Sequence, residues 1–229
     1  MKTFAPISIA PVFFTTLLLL AACSGGPKPP DWQVEAKNSM DRSVAAYMEG
    51  RSRVETAELA RARNQLSRTG RADVLATAEL LHCATRVASL VFQPCAGFES
   101  LRPDATRAQL VYADYLGGQV STDSIAWLPV TQRAAAAGDG KALKNIDDPL
   151  SKLVAAGVLF RTGKASPAVI LEAIDTASHQ GWRRPLMAWL GVQVERAEQA
   201  GDTQEAARLR RRMAVTQGGD SMGVVKQEK

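Results

Sequence analysis

Glu99 and Ser100 are the neighbouring pair in this chain with the most direct chemical use. A glutamate can protonate a leaving oxygen when its pKa is raised and a cleft shapes the substrate around it. The Gly97-Phe98-Glu99-Ser100 stretch supplies the carboxyl, but its surroundings describe a solvated glutamate near a helix end. His82-Cys83 sets two metal-ligating types side by side. Neighbouring positions on a helix point about 100° apart, so they do not share one ion easily. The chain has two histidines, His82 and His179. A zinc set would therefore need distant carboxylates, and a Ser-His-Asp triad is equally short of parts. There is no Gly-x-Ser-x-Gly elbow and no phosphate-cradling glycine loop. The sequence thus nominates no catalytic residue, no metal ligand and no cofactor.

Cationic and aromatic side chains offer binding instead. Trp182-Arg183-Arg184 could stack indole on guanidinium or present an aromatic anchor to a partner. Arg208, Arg210, Arg211 and Arg212 cluster in the last expected helix. Solubility and the helix dipole account for cations there, as does contact with an acidic partner or lipid headgroups. Arg183, Arg184, Arg208 and Arg211 are the candidate partner-binding residues. Trp182 is also expected to join two helices. Trp127 and Trp189 are expected in the core. Asp147-Asp148 before Pro149 fits helix capping, without catalysis.

Punctuation shows which elements must hold these residues. Gly50, Gly70, Gly97, Gly117, Gly138, Gly163, Gly181 and Gly201 recur roughly every 20 residues, and glycine is favoured just past a helix end. Asp148-Pro149 and Ser166-Pro167 mark helix starts. Asp202 to Glu205 has capping-box spacing. The periodicity predicts helices over 31–49, 52–69, 71–92, 104–116, 122–137, 148–162, 167–180, 182–200 and 202–217, with a short extra turn in 139–147. No stretch alternates like a strand. Cys83 and Cys95 form a candidate disulfide if the loop past Gln93-Pro94 doubles back; the alternative is two buried thiols.

The whole chain carries a net charge of +5, spread widely. That argues for solubility and weak attraction to anionic surfaces, not for a nucleic-acid partner. Lys2, an apolar run through Leu17-Leu18-Leu19-Leu20 and small residues after it make a secretory signal. The apolar segment is shorter than the roughly 20 residues a spanning helix needs. Leu20-Ala21-Ala22-Cys23 resembles the lipobox of bacterial lipoproteins. The resemblance implies cleavage of residues 1–22 and lipidation of Cys23, and several acyl chains anchor stably. Ser24 stands where an aspartate would signal inner-membrane retention, so the resemblance implies the outer membrane, facing the periplasm. An oxidising periplasm also suits a Cys83–Cys95 bond. Residues 23–30 then read as a lipidated cysteine with a Gly/Pro tether, 31–217 as the folded domain and 218–229 as a disordered tail. Trp32 opens that domain. It is expected to pack the first helix on the body, or to dip into the membrane interface.

Short loops between helices make a series of antiparallel hairpins. Leu190, Val194 and Ala197, then Gly201, Ala206, Leu209 and Met213, fall close to tetratricopeptide positions. Over residues 31–217 the chain resembles the tetratricopeptide-type outer-membrane lipoproteins of Gram-negative bacteria. The expected fold is all-α, a right-handed solenoid of helical hairpins, with a closed helical bundle as the alternative. The resemblance implies a non-catalytic, lipid-anchored periplasmic scaffold or adaptor that binds another envelope protein. The Glu99-Ser100 pair also resembles that of lytic transglycosylases, though their following Gly-Leu-Met-Gln segment is missing. A peptidoglycan-acting enzyme with Glu99 as acid, and a carrier of lipid or a small ligand, are the alternative functions.

Overall fold

The computed structural model describes residues 28–218, and every regular element among them is helical. The signal segment, Cys23 and the tail from 219 onwards lie outside the described residues. The helices are α1 (Asp31–Met48), α2 (Ser52–Ser67), α3 (Ala72–Ala88), a single turn α4 (Ala96–Glu99), α5 (Arg107–Leu116), α6 (Val130–Ala136), α7 (Pro149–Arg161), α8 (Pro167–His179), α9 (Arg183–Gln199) and α10 (Thr203–Thr216). Three 3-10 segments, Arg102–Asp104, Thr122–Trp127 and Gly140–Asn145, link them. No helix among the described residues is long and apolar enough to cross a membrane.

The starts follow from capping. Asp148 accepts the Ser151 N–H at 2.7 Å, and Ser166 accepts that of Val169 at 3.4 Å. Asp202 accepts the Glu205 N–H at 2.9 Å, but Glu205 turns to Arg208, so only half of that box forms. Thr106 and Gln109 make a complete box at α5, which therefore starts at Arg107 rather than 104. After α5 the left-handed residue is Gly118 (φ 73), not Gly117. Gly97 ends no helix and lies inside α4, where a Cβ would overlap the Glu79 carboxylate.

Two expected helices change. The third stops at Ala88, four residues early, because Leu90 adopts φ 60 and turns the chain without a glycine. The segment 122–137 splits at Pro129, which lacks an N–H and holds Leu128 extended at ψ 155°. That split lifts Trp127 out of the core, to 46% exposed.

Cross-helix bonds define the hairpins. Gln65 reaches Glu35 and Ser43 reaches the Glu55 carbonyl, so α1 and α2 are antiparallel. Arg63–Glu79 and Arg86–Glu55 do the same for α2 and α3, and Lys152–Glu172 ties α7 to α8. Non-neighbours also meet, as in the bundle alternative. α7 crosses α3 where Gly157 lies against the Val87 carbonyl; any Cβ there would overlap it. Trp189 of α9, fully buried, donates to the Ala88 carbonyl at the end of α3 at 3.1 Å. A main core runs from Tyr47 to Leu209, and a smaller one joins α1, α2 and the start of α3 through Ala36, Met40, Leu59, Ala62, Leu66 and Ala78.

Candidate functional site

A cleft of about 680 Å³ lies between α1 and α2. Helical spacing puts Glu35, Asn38, Ser39 and Arg42 on one wall. Ala60, Arg61, Asn64 and Gln65 form the other. Under it sits Glu58, its side chain only 8% exposed. Arg42 lies 2.9 Å and Arg61 2.6 Å from its carboxylate oxygens. The Arg42 hydrogen bond, joined by the Arg61 charge, holds the Glu58 carboxyl below the usual carboxylate range. Arg42 also donates to Ser39 Oγ at 3.0 Å, and Gln65 to Glu35 at 2.6 Å. One carboxylate thus organises two guanidiniums, and each guanidinium has five N–H donors. With the amides of Asn38 and Asn64 beside them, the groove suits a polar extended segment carrying carboxylate and amide groups. A glutamate held ionised by two arginines is poorly suited to donate a proton.

Behind the groove, α2 and α3 share a buried polar seam. Arg63 grips Glu79 with two bonds, 2.5 and 2.6 Å. Glu55 takes Arg86 at 2.8 Å and His82 at 3.2 Å. Burial, helped by the Arg86 charge, pushes the His82 pKa down. The Tyr47 ring is contacted by two guanidiniums, Arg86 at 3.9 Å and Arg184 at 4.3 Å.

The residues nominated from sequence fall elsewhere. Glu99 is exposed and makes a bidentate pair with Arg102 at 2.7 and 2.9 Å, which pushes its pKa down, opposite to the need of a general acid. Cys83 and Cys95 are bonded, with Cα atoms 5.7 Å apart. Arg183 donates to the Glu49 carbonyl at 3.3 and 3.1 Å. Arg184 donates to the Tyr47 carbonyl at 2.8 Å and to Ser52 Oγ at 2.9 Å. Both therefore engage the C-terminal end of α1 within the chain, and it is Arg184 on Tyr47, not an arginine on Trp182, that stacks. Trp182 is half-buried against the core. Arg208 pairs with Glu205, Arg210 with Glu198, and Arg212 donates to Ser178. The last turn of α10 carries no basic residue, so Arg208 and Arg210 serve carboxylates and Arg212 a hydroxyl, not the helix end. Arg211 is exposed. Cys23 lies outside the described residues.

Sequence inspection missed the α1–α2 groove because its residues read as an ordinary solvated face. The one signal was Glu58, spaced like Glu55 and Leu59 on the buried side of α2. Compared with protein-family models, curated proteins and solved structures, the chain matches none.

Proposed function

We propose that this chain is a lipid-anchored, non-catalytic scaffold or adaptor at the periplasmic face of the outer membrane. Its α1–α2 groove takes an extended polar segment of another envelope protein. The observation carrying the groove's role is the Arg42–Glu58–Arg61 set, which fixes two guanidiniums in an open polar cleft. The lipobox-like Leu20-Ala21-Ala22-Cys23 supports the anchor and the address. The Arg102 partnership of Glu99 argues against the peptidoglycan-enzyme alternative.

Site-specific photo-crosslinking in intact cells tests this. A crosslinker at Asn64 should trap a discrete envelope protein, and Arg61→Gln should reduce that adduct severalfold. Arg61 is exposed, so the fold should tolerate the change. Adduct formation at Asn64 no greater than at exposed Lys141, on the 3-10 segment Gly140–Asn145, would refute the groove's role.

A further inference from the structure

We propose that the end of the molecule receiving the tether lies flat against the bilayer, with the elbow at Trp127 and Val130 seated in the lipid headgroup interface. This rests on the anchoring of Cys23 proposed above.

Trp127 is 46% and Val130 75% exposed, while Leu128 between them is 1% exposed and pins the elbow to the core. Arg133 donates to the Leu128 carbonyl at 2.9 Å, which stiffens the turn around Pro129. A rigid, solvent-facing indole beside a bare valine is an apolar projection, not a fragment of core. Arg107, the first residue of α5, lies over the indole at 4.6 Å. An indole paired with a guanidinium suits the boundary between acyl chains and phosphates.

A chain of contacts places this elbow at the tethered end. Trp32 in the first turn of α1 packs on the same small core as Val74 at the start of α3. Gln109 in the first turn of α5 donates to the Asp73 carbonyl at 2.6 Å and to Thr77 at 2.8 Å. The N-terminal ends of α1, α3 and α5 therefore gather together, and Arg107 carries Trp127 with them. Eight positions separate Cys23 from Asp31, a reach of at most roughly 28 Å. The far end of α1 stands about 27 Å beyond that, since a helix rises 1.5 Å per residue. The short tether thus keeps the Trp127 end within reach of lipid. It is the interfacial role considered for Trp32, given to a different tryptophan.

The test uses the full chain, expressed with its leader, recovered from membranes and reconstituted in phosphatidylethanolamine–phosphatidylglycerol vesicles with brominated acyl chains. Tryptophan fluorescence should be quenched, and Trp127→Phe should remove at least half of that quenching. Val130→Asp, at an exposed site, should weaken it as well. Trp182→Phe should leave it unchanged, because Trp182 sits by the opposite end of α1. Membrane-bound protein whose quenching survives Trp127→Phe undiminished overturns the inference, as does an elbow that crosslinks to protein rather than lipid. Protein recovered only in the soluble fraction fails at the earlier step, the anchoring of Cys23, and removes the basis for this one.

Discussion

Gly157 and Gly191 both occupy helix interiors, in α7 and α9, and the same substitution at each should move stability in opposite directions. Replacing a mid-helix glycine with alanine gains about 1 kcal/mol, because the unfolded chain loses freedom and the helix loses none. At Gly191 an added Cβ meets nothing within 4 Å. Gly191→Ala should therefore stabilise by about 0.5–1 kcal/mol. At Gly157 the same methyl would overlap the Val87 carbonyl and come within 3.0 Å of Val87 Cγ1. A carbonyl has no rotamer to escape into, so α7 must move off α3. Overpacking of this kind costs about 1–3 kcal/mol, and a clash with backbone belongs near the top of that range. Net of the propensity gain, Gly157→Ala should destabilise by about 2 kcal/mol. Urea unfolding followed by far-UV circular dichroism measures both, with unchanged m-values required for the comparison. Adding Val87→Ala should not rescue Gly157→Ala, since the carbonyl remains. Two shifts of the same sign, or rescue by Val87→Ala, would refute the account of how α7 crosses α3.

Arg184→Met keeps the aliphatic stem but loses the bonds to the Tyr47 carbonyl and Ser52 and the stack on Tyr47; it should cost about 2 kcal/mol and lower Tm by about 4–8 °C. An unchanged Tm together with loss of a crosslinked partner would make Arg184 a contact residue instead. Reducing the Cys83–Cys95 bond, which closes a short loop, should cost about 3 kcal/mol in chemical denaturation, and equal stability with and without reductant would contradict that. His82, faced by Glu55, Arg86, Glu79 and Arg63, is held below its ordinary value of 6.5 mainly by burial. The unfolded chain then protonates first, so stability should fall as pH drops through 6.5 toward the lower folded value, by at most about 1.4 kcal/mol per pH unit. Urea midpoints for the parent and His82→Gln should therefore converge on acidification through that range, and parallel curves would count against it.

Much of the helical layout could be read from punctuation, because glycine stops and Asp or Ser starts act locally. α7 and α8 begin where Asp148-Pro149 and Ser166-Pro167 place them. The failures are places where tertiary structure overrode local chemistry. Leu90 takes a left-handed conformation that costs an ordinary side chain about 1–2 kcal/mol; packing against the core offsets it, and nothing in the sequence announces that. Pro129 was visible, but Trp127 looked like core by residue type alone. Its exposure depends on the 3-10 turn that carries Leu128 inward in its place. The groove was the least legible feature. Asn38, Arg42, Arg61 and Asn64 have the composition of any wetted helix surface, and only the position of Glu58 beneath them gives that surface an organised floor.

The arginines at the start of α9 show a role that side-chain type alone does not announce. Arg183 and Arg184 occupy its first turn, where the dipole of their own helix opposes a cation. They are tolerable there because the C-terminal end of another helix faces them. The Glu49 carbonyl at the end of α1 accepts Arg183, and the Tyr47 carbonyl, which also takes the Gly50 N–H at 3.0 Å, accepts Arg184 on its second lone pair. The cations at the start of α9 gain carbonyl acceptors only when α9 docks on α1. That contact spans more than 130 positions of sequence, and Arg86 of α3 joins it over the Tyr47 ring. The α1–α2 hairpin is therefore fixed to the body at two places, along α3 and at the tip of α1. A groove on so braced a hairpin presents Arg42 and Arg61 in a set geometry, which would lower the entropy lost on binding the proposed segment. The cations that fasten the frame and the cations that face outward are the same residue type; Arg183 and Arg184 reach across to another element, while Arg42 and Arg61 stay within the hairpin that forms the groove.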